Sequence, residues 1–336
     1  MLETAGYRMP AEWEPHRACW LAWPCQEDLW GEDLDGVRRE FVGLCRAIGG
    51  EKVEVLVFDE AGQRQARREL AGVDADFHRA AYGDVWLRDT GPSFLVDAGG
   101  GLAGLCFRFN GWGEKYLFES DDTVGVRVTV LAGAAVLEAG GMVVEGGALE
   151  VDGQGTCLTT RSCLLNHNRN PQMDEEGAGA FLCEALGVEK VLWLERGLDS
   201  DHTDGHVDTL ARFSQPGRVV CMRAGNAGDP GCEVFAEVEK TLSAATDAGG
   251  RRLEVVTLPS PGAVNGQDGS LLPASYLNFY ISNSSVVIPV YGSVHDREAV
   301  DTIASLFPGR EAVALEARLL LGGGGAFHCI TQQEPA

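Results

Sequence analysis

Apolar residues along this chain alternate between two periods. From Asp33 to Ile48, Leu34, Val37, Phe41, Leu44 and Ile48 recur at helical spacing, and the apolar run Val53 to Phe58 follows as a strand. The same order returns three times. Pro171 to Leu186, with Gly187 as a C-terminal stop, precedes Lys190 to Leu194; Glu233 to Ala248 precedes Leu253 to Leu258; Asp296 to Phe307 precedes Glu311 to Leu315. Asp121 to Ala134 fills the matching place in a further unit, with valines that weaken its helical signal.

Hairpin patterns lie between these helix-then-strand segments, each opened by a polar residue. Asp89 stands before Ser93 to Val96, the Gly99 to Gly101 turn and Leu105 to Phe109. Glu145 precedes Ala148 to Val151 and Thr156 to Thr159, Asp208 precedes a strand pair around Gln215 to Gly217, and Asn278 precedes Phe279 to Ile281 and Val286 to Val290. With Cys329, these heads are 56, 63, 70 and 51 residues apart, a near-constant period. One such unit cannot bury its own apolar face, so the period predicts α/β modules set around an axis in a single domain, 1–336, with the heads converging on one pocket. The last unit lacks partner strands, and Arg17 to Trp23 is the segment that can supply one and remove an exposed edge.

Composition narrows the ligand. Fifty acids against 27 basic residues give a net charge of −23, which repels nucleic acid and anionic lipid and favours a cationic ligand. The ten cysteines are scattered with no C-x-x-C pair, which fits reduced thiols in a cytoplasm better than a disulfide framework. No segment has the apolar length of a membrane span, and none near Met1 reads as a signal peptide.

The glycine run Gly322 to Gly325 ahead of Cys329 offers positive φ and room for a substrate to approach the backbone beside a thiol. A buried cysteine next to a glycine turn is the alternative. A Cys, a His and several carboxylates suit nucleophilic attack on a cation: Asp89 and Asp208 can clamp a planar guanidinium, His206 can serve as acid and base, and Glu145 can orient it. Each acid taken singly also reads as a turn or capping residue.

The segments Trp86-x-Arg88-Asp89-Thr-Gly-Pro, Glu145-Gly-Gly, Thr203-Asp-Gly-His206-Val-Asp208-Thr, Tyr276-x-Asn278-Phe-Tyr and Gly-Gly-Gly-x-x-His328-Cys329-Ile-Thr-Gln-Gln-x-Pro resemble those of the agmatine deiminases. These fall in the Porphyromonas-type peptidylarginine deiminase family of the guanidine-modifying (pentein) superfamily, and the match runs from Pro10 to Pro335. The resemblance implies a five-bladed pseudo-symmetric α/β propeller of ββαβ modules and hydrolysis of agmatine to N-carbamoylputrescine and ammonia, a step in putrescine synthesis, with no metal or cofactor. It implies Cys329 as nucleophile, His206 as proton donor and water activator, Glu145 as its support, Asp89 and Asp208 as the guanidinium clamp, and Trp86 and Asn278 as substrate contacts. A homodimer is compatible with it. Two positions depart from the pattern: some relatives have Asn at Ala326 and an acid at His202, near the exit of the substrate's amino tail. Peptidylarginine enzymes share much of the same pattern. Two other classes stay open: a metallohydrolase using His202 and His206, which Gly205 disfavours by interrupting the helix, and a non-catalytic propeller module.

Overall fold

The computed structural model describes residues 4–336. Its strands form five small sheets on one plan: an antiparallel pair, a helix, then a third strand parallel to the second. Ser93–Asp97 pairs with Leu102–Arg108, helix Asp121–Leu131 follows, and Ala135–Val143 returns beside Leu102–Arg108. Glu150–Val151, Thr156–Thr160, helix Glu175–Leu186 and Lys190–Leu194 repeat the order, as do Ala211–Gln215, Arg218–Arg223, helix Cys232–Ala244 and Glu254–Pro259. The fourth sheet holds Tyr280–Ile281, Ser285–Val290 and Glu311–Glu316 around helix Asp296–Leu306.

The fifth sheet joins the two ends of the chain. Gln332–Pro335 pairs antiparallel with His16–Ala22, Trp20 opposite Gln332, and His16–Ala22 then pairs parallel with Lys52–Val57 across helix Leu34–Ala47. That is the closure expected of Arg17 to Trp23, since the last hairpin has no other second strand. Two additions extend the plan: Ala75–Arg79 on the fifth sheet and Tyr7–Arg8 on the edge of the first.

Helix boundaries differ from expectation where side chains cap the chain. Glu175–Leu186 starts four residues later than the apolar pattern suggested, because the Asp174 carboxylate accepts the Gly177 N–H at 2.8 Å and fixes the first turn there. Gly187 ends it in the left-handed region, φ 65°. Helix Cys232–Ala244 stops four residues early, as Thr246 bridges to Arg252 and Asp247 accepts the Arg251 N–H at 2.8 Å. Helix Asp121–Leu131 forms despite its valines because Val124 and Val128 pack into the core, while Val130 stays exposed. Helix Leu34–Ala47 buries Val37, Phe41 and Leu44, and Phe41 and Trp23 meet in a T-shaped contact, 5.4 Å between centroids. Each such side chain removed from water contributes about 1.5–3 kcal/mol.

Candidate active site

Each polar head sits on a tight turn just ahead of its hairpin. Asp89 lies in the helical turn Leu87–Thr90, Glu145 immediately precedes the 3-10 turn Gly146–Ala148, and Asp208 lies within Val207–Thr209. These turns shorten the strands behind them, so the second hairpin begins at Glu150 and the fourth at Tyr280, two residues and one residue later than the apolar pattern suggested. A short turn aims one side chain away from the sheet, which an extended strand would place on a face.

The five heads meet. Asn278 Nδ2 donates to Cys329 Sγ at 3.0 Å and to Asp208 Oδ2 at 3.2 Å, and the thiol lies 3.6 Å from that same oxygen. His206 Nδ1 is 3.8 Å from Asp89 Oδ1, and its Nε2 is 3.8 Å from Glu145 Oε2. Gly147 is where these groups crowd: a Cβ there would stand 2.5 Å from His206 Nδ1, 3.0 Å from Asp89 Oδ1 and 3.2 Å from Asp208 Oδ2. Its own N–H donates to Asp89 Oδ1 at 2.9 Å.

Asn278 also fixes the cysteine loop. Its Oδ1 accepts from the N–H groups of Ala326, His328 and Cys329 at 3.1, 3.1 and 3.2 Å, so both ends of the carboxamide are engaged within the protein. The glycine run clears space chiefly by lacking side chains. A Cβ on Gly325 would lie 2.8 Å from both Cys329 Cβ and Trp86 Cζ3, and one on Gly323 would lie 2.4 Å from Trp30 Cη2. Of the four glycines only Gly324 has positive φ, 112°, where positive φ was open to all four. Trp86 thereby lies against the backbone that carries the nucleophile.

The electrostatics separate the roles. Burial, with Asp208 and Asp89 behind it, pushes the Cys329 thiol well above its usual range, and the Asn278 contact offsets only part of this. Burial alone would lower His206, but Asp89 and Glu145 outweigh it and hold the imidazole well above its ordinary value. Asp89 is raised, mainly by burial, while His328 and His206 overcome the same burial at Asp208 and lower it. Asp208 Oδ1 is buried without a hydrogen-bond partner. That open acceptor, beside a neutral thiol and a proton-carrying imidazole, suits a donor-rich planar cation.

Several residues that sequence reasoning passed over complete the site. Arg169 Nε donates to Glu145 Oε1 at 2.7 Å and its Nη1 to Asp204 at 2.7 Å, and with His206 it lowers Glu145 against its burial. His328 bridges Asp208 Oδ2 at 2.7 Å and Glu12 Oε2 at 2.9 Å; Arg212 in turn binds Glu12 and Glu150. Cations therefore do surround the pocket, each paired with an acid. Glu12 belongs to the Pro10 to His16 segment and His328 to the cysteine motif, yet nothing in their spacing signals their contact, and Arg169 has no local signal.

A strained segment covers Asp89. Trp112 holds φ 53°, a conformation costing a non-glycine residue about 1–3 kcal/mol, and donates Nε1 to Asp89 Oδ2 at 2.8 Å. Lys115 Nζ reaches the His202 carbonyl at 2.8 Å and Tyr116 stacks on His202, so His202 faces this segment. His202 is also absent from the one group of potential metal ligands among the described residues, Glu145, Cys163 and His206. No described helix is long and apolar enough to cross a membrane.

Comparison with known proteins follows the same lines. The family model of the Porphyromonas-type peptidyl-arginine deiminases matches residues 8–335. The agmatine deiminase of Stutzerimonas stutzeri is 36% identical over 353 residues, covering 98% of this chain and 96% of the relative. The solved structure described as agmatine deiminase of Enterococcus faecalis catalysing its reaction is 36% identical, covers 98% of this chain and 96% of its own, and superposes with a TM-score of 0.93. The more distant DDAH from Pseudomonas aeruginosa, 14% identical with a TM-score of 0.51 over 95% of this chain and 99% of its own, shares the fold. The α/β architecture is thus that of the solved agmatine deiminase structure, and the chain belongs to the Porphyromonas-type peptidyl-arginine deiminase family.

Proposed function

We propose that this protein is an agmatine deiminase, hydrolysing agmatine to N-carbamoylputrescine and ammonia through a covalent intermediate on Cys329. The observation that carries this reading is the unpartnered Asp208 Oδ1 beside the protonated Cys329 thiol and opposite His206. The guanidinium lies between Asp89 and Asp208, whose charges hold it and whose field it cancels at the sulfur, so substrate arrival itself lowers the thiol's proton affinity. Cys329 releases its proton to solvent, and the thiolate attacks the guanidinium carbon. His206 gives its proton to the departing ammonia, the C–N bond breaks, and a thiouronium remains on Cys329. His206, now neutral, takes a proton from water; the hydroxide adds to the carbon, the C–S bond breaks, and the ureido product leaves with the thiol restored. Glu145, anchored by Arg169, supports His206; Asn278 holds the cysteine loop, and Trp86 lines the substrate's path.

The finer architecture belongs to the same proposal: one domain over 1–336, a five-bladed propeller whose five sheets surround the heads. The free state of all ten cysteines supports a cytoplasmic setting. The test is trapping of the intermediate. Acid quench of the enzyme with agmatine, then peptide mass analysis, should find the adduct of agmatine less ammonia on the Cys329 peptide, and none in His206→Asn supplied with a thiol scavenger. An adduct on another cysteine would remove Cys329 from its role.

A further inference from the structure

His206 presents its two ring nitrogens to different partners. Nδ1 faces Asp89, whereas Nε2 is buried with no hydrogen-bond partner and looks onto Glu145 Oε2 at 3.8 Å. Cys163, in the helical turn Arg161–Leu164, brings its Sγ to 3.8 Å from that same oxygen. The three ligand atoms lie within 4.8 Å of one another, with Cys163, Glu145 and His206 at most 1% exposed. We propose that Cys163, Glu145 and His206 form an inhibitory site for a thiophilic divalent cation such as zinc, which withdraws His206 from proton transfer.

Thiolate, imidazole and carboxylate together form a donor set that zinc takes readily. Tetrahedral zinc with its usual bond lengths separates such ligand atoms by about 3.3–3.6 Å, so the two 3.8 Å contacts need to close by only a few tenths of an ångström, and Cys163 Sγ and His206 Nε2, within 4.8 Å of each other, by about an ångström at most. The second shell is in place. Arg169 Nε holds Glu145 Oε1 at 2.7 Å, which orients the carboxylate and leaves Oε2 to the cation. Asp89 Oδ1 lies on the Nδ1 side of the ring at 3.8 Å, which leaves Nε2 turned to the site. Three protein ligands leave a fourth position for water. Binding sends the Cys163 thiol proton and the Nε2 proton to solvent, with no change in oxidation state. Cys329 is not a ligand, so the cation does not replace the thiol chemistry; it stops the step that His206 serves. The inhibitory half of this proposal rests on the role given to His206 above, whereas the binding half stands without it.

Cobalt(II) titration of the full-length protein tests the binding directly, since a thiolate on cobalt gives a charge-transfer band in the near ultraviolet. The band should appear at one equivalent in wild type and in Cys329→Ala, and be lost in Cys163→Ser. The Cys163→Ser enzyme, checked for folding by its circular dichroism and by ammonia release within about threefold of wild type, should require at least about tenfold more zinc for half-inhibition. A band that survives Cys163→Ser and vanishes in Cys329→Ala would place the metal on the nucleophile and overturn the site. Absence of any band in wild type would do so as well. Loss of the band in Cys163→Ser with unchanged zinc inhibition would overturn the inhibitory role.

Discussion

Cys329 keeps its proton because it is buried between carboxylates, and that same arrangement makes a testable sign. Asp208→Asn removes the nearer charge, so iodoacetamide should modify Cys329 faster at pH 8 than in wild type while deimination falls. Parallel losses of both reactivities would contradict the field argument. Asp89→Asn keeps shape but, with one acceptor oxygen, serves only one of the Trp112 and Gly147 N–H groups, and it removes half of the clamp, at a cost of about 2–5 kcal/mol in transition-state stabilisation. A loss in kcat/KM of less than about tenfold, or roughly 1.4 kcal/mol, would take Asp89 out of the clamp. At this scale the sequence was legible wherever chemistry coincided with a repeat position: Asp89, Glu145, Asp208, Asn278 and Cys329 all arrive at one place. It was not legible for Glu12, His328, Arg169 and Arg212, whose meaning lies in pairings across as many as 316 residues that no local spacing records.

Elements carry the site by leaving room for it. Gly325→Ala sets a methyl 2.8 Å from Cys329 Cβ and Trp86 Cζ3, and should cut kcat by more than about tenfold with the fold intact, since an ångström of displacement is enough. Gly322→Ala, at the end of a helical turn with nothing within 4 Å of its Cβ, should be neutral. Equal effects of the two would refute the clearance argument, and steady-state kinetics decides. A second element effect involves pH. Asp84, bonded to Trp30 Nε1, and Asp121, bonded to the Gly83 N–H, are both pushed up to about 6 by burial from an ordinary value of 3.8. The folded state therefore holds their protons more tightly than the unfolded one, so their contribution to stability is full below pH 4 and is lost as pH rises from about 4 to about 6. Asp121→Asn should gain stability over wild type across that interval, and denaturant midpoints at pH 4 and pH 7 measure it; a constant difference would exclude the linkage. The helices, and the third strands of four of the five units, were read from periodicity within about four residues, whereas Ala135–Val143 was not read. The turns that carry the heads were not, because their caps and 3-10 geometry override β patterning over one or two residues.

Among the described residues five sheets share one plan, and the fifth of them joins His16–Ala22 to Gln332–Pro335. The closure was foreseeable, since an unpaired last hairpin needs a partner, but the buried ionic layer of Glu12, Arg212, Glu150 and His328 beneath the pocket was not. That layer links the N-terminal segment to Asp208 through His328, so the site is a property of the closed chain. A net charge of −23 gives the same molecule a field that attracts cations and repels carboxylates. The protein should therefore discriminate by the part of the substrate that does not react. The most direct test is ammonia release from agmatine, arginine and a blocked arginyl peptide in parallel, with Cys329→Ala as control. Strong preference for agmatine, abolished in Cys329→Ala, is the predicted result. Activity confined to the peptide, or ammonia release that survives Cys329→Ala, would contradict it.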